Sequence, residues 1–165
     1  MAGTDKSHLL ENGGASDTLS LAVILVEPQM GENIGMASRA MLNCGLTDLR
    51  LVRPRDGWPN SKANSSASGA DVVVDGARVF DTTIEAIADL SVVYAATARP
   101  RDMIKTVMTP RHGVPQLRKE AGVGQACGVL FGGERAGLEN ADVALADVVL
   151  QAPLNPAFRS LNLGH

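Results

Sequence analysis

The chain has 165 residues, 45% of them hydrophobic but only 3% aromatic, and a formal charge of −3. That length suits one domain with an adequate core, and the lack of aromatics leaves Val, Leu, Ile, Ala and Met to fill it, as in buried parallel strands covered by helices. The acidic balance offers no global attraction to a polyanion, and no run approaches the roughly 20 apolar residues of a membrane span.

Residues 1–20 are polar, lack the apolar core of a signal peptide and read as a disordered tail. The domain is expected to occupy 21–165. Leu21 to Val26 is an unbroken, β-branched apolar run, predicted as a buried strand. A loop from Glu27 to Asn33 follows, and a helix is predicted with Asn33 as N-cap and Gly45 as stop, because Ile34, Ala37, Met41 and Cys44 repeat at helical spacing. Leu49 to Val52 is a second strand. The Pro- and Gly-punctuated stretch from Arg53 leads into a short helix near Ala63 to Gly69. Val72 to Phe80 is β-prone, Asp81 caps a helix through Ala88, and Ser91 to Ala96 is another strand. A loop rich in Arg and Pro spans Thr97 to Pro110; a short helix around Gln116 to Ala121 precedes strands at Gly128 to Phe131 and Val148 to Leu150. This cadence predicts an α/β fold, a mostly parallel sheet with helices on both faces.

Two stretches are locally basic: Arg39, Arg50, Arg53, Arg55 and Lys62 oppose only Asp48 and Asp56, and the six bases from Arg99 to Lys119 oppose only Asp102. A basic face and an ordinary mixed surface both satisfy that pattern. Cys44 and Cys127 each sit in apolar runs and read as small buried hydrophobes in a reducing compartment, which points to a cytoplasmic protein. His8, His112 and His165 have no ligand spacing, so no metal is expected.

In a parallel sheet, ligands bind beyond the carboxyl ends of the strands, where three segments stand out. NIGMASR (33–39) pairs a helix start with Gly35 and Arg39, and by itself is equally a capped amphipathic helix with a solvated arginine. LFGGERAGL (130–138) puts two glycines and Glu134 at a strand end, and alone is equally a glycine turn. APLNPAFRSLNLGH (152–165) leads through prolines to Ser160, a candidate cap for a helix from Leu161 that could bind an anion, or a simple loop-to-helix junction. Neither a GxGxxG nor a GxxxxGK phosphate loop is present.

In order and spacing, these segments resemble the three motifs of the TrmH-like branch of the SPOUT RNA ribose 2′-O-methyltransferases, most closely its TrmJ members: N-I-G-x-x-x-R, F-G-x-E-x-x-G-L and N-P-x-[YF]-x-S-L-N. The resemblance covers Leu21 to His165. It implies a C-terminal trefoil knot, a topology that periodicity does not reveal, and S-adenosylmethionine as cofactor. Carried onto this chain, the cofactor residues are Ala96, Thr97, Ala98, Gly132, Gly133, Ala152, Pro153, Arg159, Ser160 and Leu161, acting mostly through backbone groups. Arg39 matches the catalytic arginine. A guanidinium stays protonated and is no literal base, so its expected role is to hold the adjoining phosphate and stabilise the developing alkoxide. Asn33 and Glu134 are implied to organise the pocket, and Ser160 and Asn162 to support Arg39 or the cofactor. In the family the arginine faces a cofactor held by the other subunit, which implies a homodimer.

The family pattern continues past His165 into a long helix that completes the knot and much of the dimer interface, so the expectation is a protein with more chain beyond this point. Ala95 to Thr97, in place of the more usual Gly-Thr-Ser, and Gly164 are smaller departures. The implied function is methylation of tRNA at an anticodon-loop pyrimidine, position 32. The alternatives are ribose methylation of rRNA by the same chemistry, and an RNA-binding module without turnover.

Overall fold

The computed structural model describes residues 19–98, 104–153 and 163. A seven-stranded sheet runs through it, formed by β1 (Leu21–Val26), β2 (Asp48–Val52), β3 (Arg78–Phe80), β4 (Val92–Ala96), β5 (Thr106–Met108), β6 (Cys127–Gly132) and β7 (Val148–Leu150). The order is β3-β2-β1-β6-β4-β7-β5, and every neighbouring pair is parallel. The helices are α1 (Gly31–Asn43), α2 (Ser61–Ser66), α3 (Asp71–Asp75), α4 (Thr83–Ile87), α5 (Pro110–Gly122) and α6 (Asn140–Ala144). None among the described residues is long and apolar enough to cross a membrane.

Both faces of β1 are buried, which is why its sequence is a continuous apolar run and not an alternating one. Val23 and Leu25 pack with Ile34, Ala37 and Met41 of α1, Ala63 of α2 and Val73 of α3. Ala22, Ile24 and Val26 point the other way, to Ala86 of α4 and Val143 of α6. Register places Val129 of β6 beside Val23 and Tyr94 of β4 beside Val129, so the cluster these form with Leu117 and Ala121 of α5 lies on the α1 face. Phe131 packs against both clusters of that face and joins α1 to α5 through the sheet. Each fully buried Leu, Ile or Val contributes on the order of 1.5–3 kcal/mol through burial.

The predicted parallel α/β sheet is present, with helices on both faces, and the strands at 21–26 and 148–150 fall where the apolar runs placed them. Several local expectations are corrected. Helix α1 begins at Gly31 with Met30 as N-cap, so Asn33 lies within the first turn. The β-prone Val72–Val74 is helical, because Val73 and Val74 bury into separate clusters beneath α3 and that tertiary gain outweighs β-branched propensity. Thr82, not Asp81, caps α4; its side chain accepts from the Glu85 N–H. The loop after β4 contains the edge strand β5, whose backbone pairs with β7.

Helix α5 is longer than expected, starting with Pro110 in its first turn and continuing through Pro115. Its burial of Gly113, Leu117 and Ala121 compensates the hydrogen bond lost at that proline. Helix α6 lacked an amphipathic signature at five residues. Cys44 is exposed just past the end of α1, whereas Cys127 is buried as expected. The tail expected at 1–20, apart from residues 19 and 20, falls outside the described residues, as does any knot formed by residues 154–162.

On the α4 face, Arg50 of β2 is 3% exposed. Its guanidinium donates to Ala86 O, at the end of α4, and to the carboxylates of Asp48 and Asp89. Hydrogen bonding from Arg50 holds Asp89 below its ordinary value. Burial pushes the Asp48 carboxyl up, but Arg50, aided by Arg78, outweighs burial and leaves it lowered. Both carboxylates therefore favour the folded state above the unfolded value of 3.8, and that contribution is lost as pH falls below it. Arg50→Met should lose about 2 kcal/mol at pH 7, measured by urea unfolding, and the gap to the parent should narrow below pH 4 or so.

Candidate active site

Strands β1 and β6 are neighbours, with Val26 opposite Gly132 at their carboxyl ends. From β1 the sheet continues through β2 to β3 on one side; on the other, β6 is followed by β4, β7 and β5. The strand order reverses between them, the place where an open parallel sheet leaves a crevice. Here the first and second sequence segments meet.

The loop after β6 is a tight turn: Gly137, at φ +66°, donates from N–H to Gly133 O at 3.1 Å. Gly133 lies so close to the Glu27 carbonyl, after β1, that any Cβ would collide with it, and a Cβ on Gly132 would strike the backbone of Gly137 and Leu138. The two glycines thus let protein backbone approach protein backbone. Glu134 is thereby carried to the start of α1. Its carboxylate accepts from Gln29 N–H at 2.7 Å, Met30 N–H at 3.2 Å and Asn33 Nδ2 at 3.0 Å.

Met30 has no side-chain cap of its own, so a carboxylate 104 residues distant in sequence performs that service at the positive end of the helix. Burial pushes the Glu134 carboxyl up, but the hydrogen bonds from Asn33 and the backbone prevail, leaving it below its ordinary value and charged at neutral pH. Asn33, 3% exposed, is the side-chain member of this clamp and not a cap.

Arg39 lies two turns further along α1 on its exposed side. The other bases of its stretch are paired: Arg50 with Asp48 and Asp89, Arg53 with Glu27, Arg55 with Asp56 and Lys62 with Glu32. Among the described residues Arg39 has neither an ion pair nor a side-chain hydrogen bond. The basic stretch read from sequence is therefore mostly neutralised, and α1 presents the one base that is not. Gly35 serves packing: a Cβ there would collide with Ser66 Oγ and Ala63 O of α2, and Ser66 donates to Glu32 O at 3.1 Å.

The remaining candidates gather on three adjoining strand ends. Ala96, Thr97 and Ala98 leave β4, Gly132 and Gly133 leave β6, and Ala152 and Pro153 follow β7. Thr97 N–H donates to Leu150 O at 3.0 Å and Gln151 N–H to Met108 O at 2.9 Å, fixing the β4 and β7 exits. All but the exposed Pro153 are half-buried, and none carries a charge. Arg159, Ser160, Leu161 and Asn162 lie outside the described residues. Leu163, in the same segment, packs against the apolar cluster under α1. No group of His, Cys, Asp or Glu among the described residues is arranged to hold a metal ion.

One contributor escaped sequence reading. Arg53, at φ +45°, donates to Glu27 Oε1 at 3.0 Å and Asp81 O at 2.6 Å, tying together the exits of β1, β2 and β3. Its partners are 26 and 28 residues away, so only strand adjacency reveals it.

Residues 20–165 match the model of the SpoU rRNA Methylase family. The chain belongs to this family. The tRNA (cytidine/uridine/adenosine-2′-O-)-methyltransferase TrmJ of Pseudomonas aeruginosa is 37% identical over 143 residues, 87% of this chain and 55% of that protein. The uncharacterized tRNA/rRNA methyltransferase LasT of Escherichia coli is 36% identical over 152 residues, 88% of this chain and 64% of the relative. The crystal structure of TrmJ from Z. mobilis ZM4 superposes with a TM-score of 0.82 at 57% identity, over 87% of this chain and 62% of that one. This SpoU-family chain thus spans between about half and two thirds of the length of these relatives.

Two variants test the clamp. Glu134→Gln, which cannot accept all three hydrogen bonds, should lose about 1–3 kcal/mol and speed hydrogen exchange at the Gln29 and Met30 amides. The parent should itself weaken as pH drops below 4.5, the ordinary value for that carboxyl, because its folded value is lower. Gly35→Ala forces α1 from α2 and should cost about 1–3 kcal/mol in chemical denaturation.

Proposed function

We propose that the chain is the catalytic part of an S-adenosylmethionine-dependent ribose 2′-O-methyltransferase that acts as a homodimer on tRNA, at a pyrimidine at position 32 of the anticodon loop. The observation that carries this reading is the Glu134 clamp. It holds the start of the helix bearing Arg39 against the loop that carries Gly132 and Gly133, so within each subunit the arginine that would meet the RNA and the loop that would cradle a methyl donor keep a fixed relation, and each would face its counterpart across the dimer.

The residues present fit such a donor. Three neighbouring strand ends offer small, half-buried, uncharged positions whose backbone groups can bind an adenine and ribose by hydrogen bonds. Held there, the donor would supply a sulfonium methyl group for the 2′-oxygen, whose hydroxyl proton would be released. Arg39, exposed and unopposed by a carboxylate, would bind the phosphate beside the target ribose and favour the charge developing on the 2′-oxygen, an effect worth roughly 3–4 kcal/mol. Asn33 and Glu134 keep α1 in place. Ser160 and Asn162 are assigned to support Arg39 or the donor, and Arg159 and Leu161 to the donor's pocket. Arg39 would serve the donor bound by the second subunit.

Methylation of rRNA is the second reading, favoured by the name of the matching family. The deciding experiment incubates a protein carrying this chain with labelled adenosylmethionine and either tRNA or rRNA, then maps the methylated nucleotide by mass spectrometry. Label at position 32 of tRNA is expected; label confined to rRNA reverses the substrate, and no transfer despite donor binding leaves an RNA-binding module. Arg39→Ala should reduce turnover about 10²–10³-fold while RNA affinity changes only mildly.

A further inference from the structure

Many of the cations among the described residues are spent on partners within the fold. Arg50, Arg53, Arg55, Lys62 and Arg78 each face a carboxylate, and Lys105 is spent on Ala144 O and Ala146 O at the end of α6. Arg111, Arg118 and Lys119 differ: all are exposed, and none has an ion pair or side-chain hydrogen bond among the described residues. All three are on α5. With His112, Val114 and Pro115 they make up its outer surface, while Gly113, Leu117 and Ala121 form its inner one. The helix's single acid, Glu120, is turned inward, accepting from Tyr94 Oη at 2.9 Å and Gln116 Nε2 at 3.3 Å. The result is a positive surface with no paired carboxylate among the described residues, on a chain whose net charge is negative.

Its position adds meaning to its charge. Helix α5 starts at the carboxyl end of β5, and Gly113 is pressed so close to Leu150 that a Cβ would collide with it. Met108 O, just before the helix, accepts from Gln151 N–H in the β7 exit. Arg111 therefore stands at the rim of the candidate active site, and Arg118 and Lys119 continue away from it over about two helical turns, roughly 10 Å. That is long enough to meet two successive phosphates on a strand, and α5 shares its sheet face with α1, which carries Arg39.

From this we infer that the outer face of α5 is a docking surface for the sugar–phosphate backbone of the substrate RNA, remote from the methylated nucleotide. The inference rests on the methyltransferase reading for the identity of the RNA but not for the charge pattern. Arg111, Arg118 and Lys119 act as positioning residues: they bring the strand across the rim and contribute affinity without touching the reacting atoms. A phosphate-bound cation displaces counterions, so its removal flattens the salt dependence of binding.

The test compares the parent with the triple variant Arg111→Gln, Arg118→Gln, Lys119→Gln, using fluorescence anisotropy with labelled tRNA at several salt concentrations. Loss of three phosphate contacts should reduce the slope of log K against log salt by about 2 and weaken binding about tenfold or more near 0.15 M salt. The same factor should appear as a rise in the KM for tRNA, with donor affinity and melting temperature matching the parent. Arg78→Gln, at the opposite sheet edge, should leave the slope unchanged. A triple variant with the parent's slope and KM overturns the docking face, as does a parent that binds no tRNA. Failure of the parent to methylate any RNA would instead overturn the methyltransferase reading, while the slopes would still decide the face.

Discussion

The Glu134 carboxylate sits where the strand order reverses, and the arrangement of the site depends on it. A helix entered from β1 has free N–H groups at its start, and the local sequence gives Met30 no side chain with which to cap them. The cap arrives from the other half of the sheet, on a turn whose glycines allow it within reach of Gln29 and Met30. Net lowering of the Glu134 pKa follows from that geometry: an acceptor surrounded by donors is favoured in its charged form even when partly buried. The two halves of the domain are thereby joined at the point where a ligand would bind.

The pairing of charges carries a second constraint. A tally of bases in the sequence places two positive stretches on the molecule, but Arg50, Arg53, Arg55 and Lys62 spend their charge on carboxylates that the fold brings alongside. Arg50 is structural, closing the end of α4, and Arg53 ties three strand exits together. Among the described residues, Arg39 and the bases on the outside of α5, which share one face of the sheet, have neither an ion pair nor a side-chain hydrogen bond. For a chain with a net charge of −3, this placement matters more than the total, since phosphates respond to local potential.

The family resemblance reads Gly132 and Gly133 as backbone positions of a cofactor site, and Gly35 sits at a helix start beside Arg39 in the first motif. At Gly35, Gly132 and Gly133 the close neighbours are the protein's own α2, its own turn and the β1 exit. Such packing makes a frame that holds α1 and the strand exits in fixed relation. In this chain the glycines of the first two motifs build the frame of the site.

Sequence by itself determined the parallel α/β class, the strands at 21–26 and 148–150 and the three segments that place the chain in its family, because apolar runs and short motifs are local signals. Other features became visible only in the tertiary structure. Val72–Val74 is helical because two separate clusters bury Val73 and Val74, β5 exists because β7 offers it an edge, and α5 passes through Pro115 because its inner face packs on the sheet. Asn33 is a clamp and not a cap for the same reason: its partner is 101 residues away. Local patterning sets which elements form, but which donor meets which acceptor, and which base is paired with a carboxylate, is decided by the strand order that brings distant loops together.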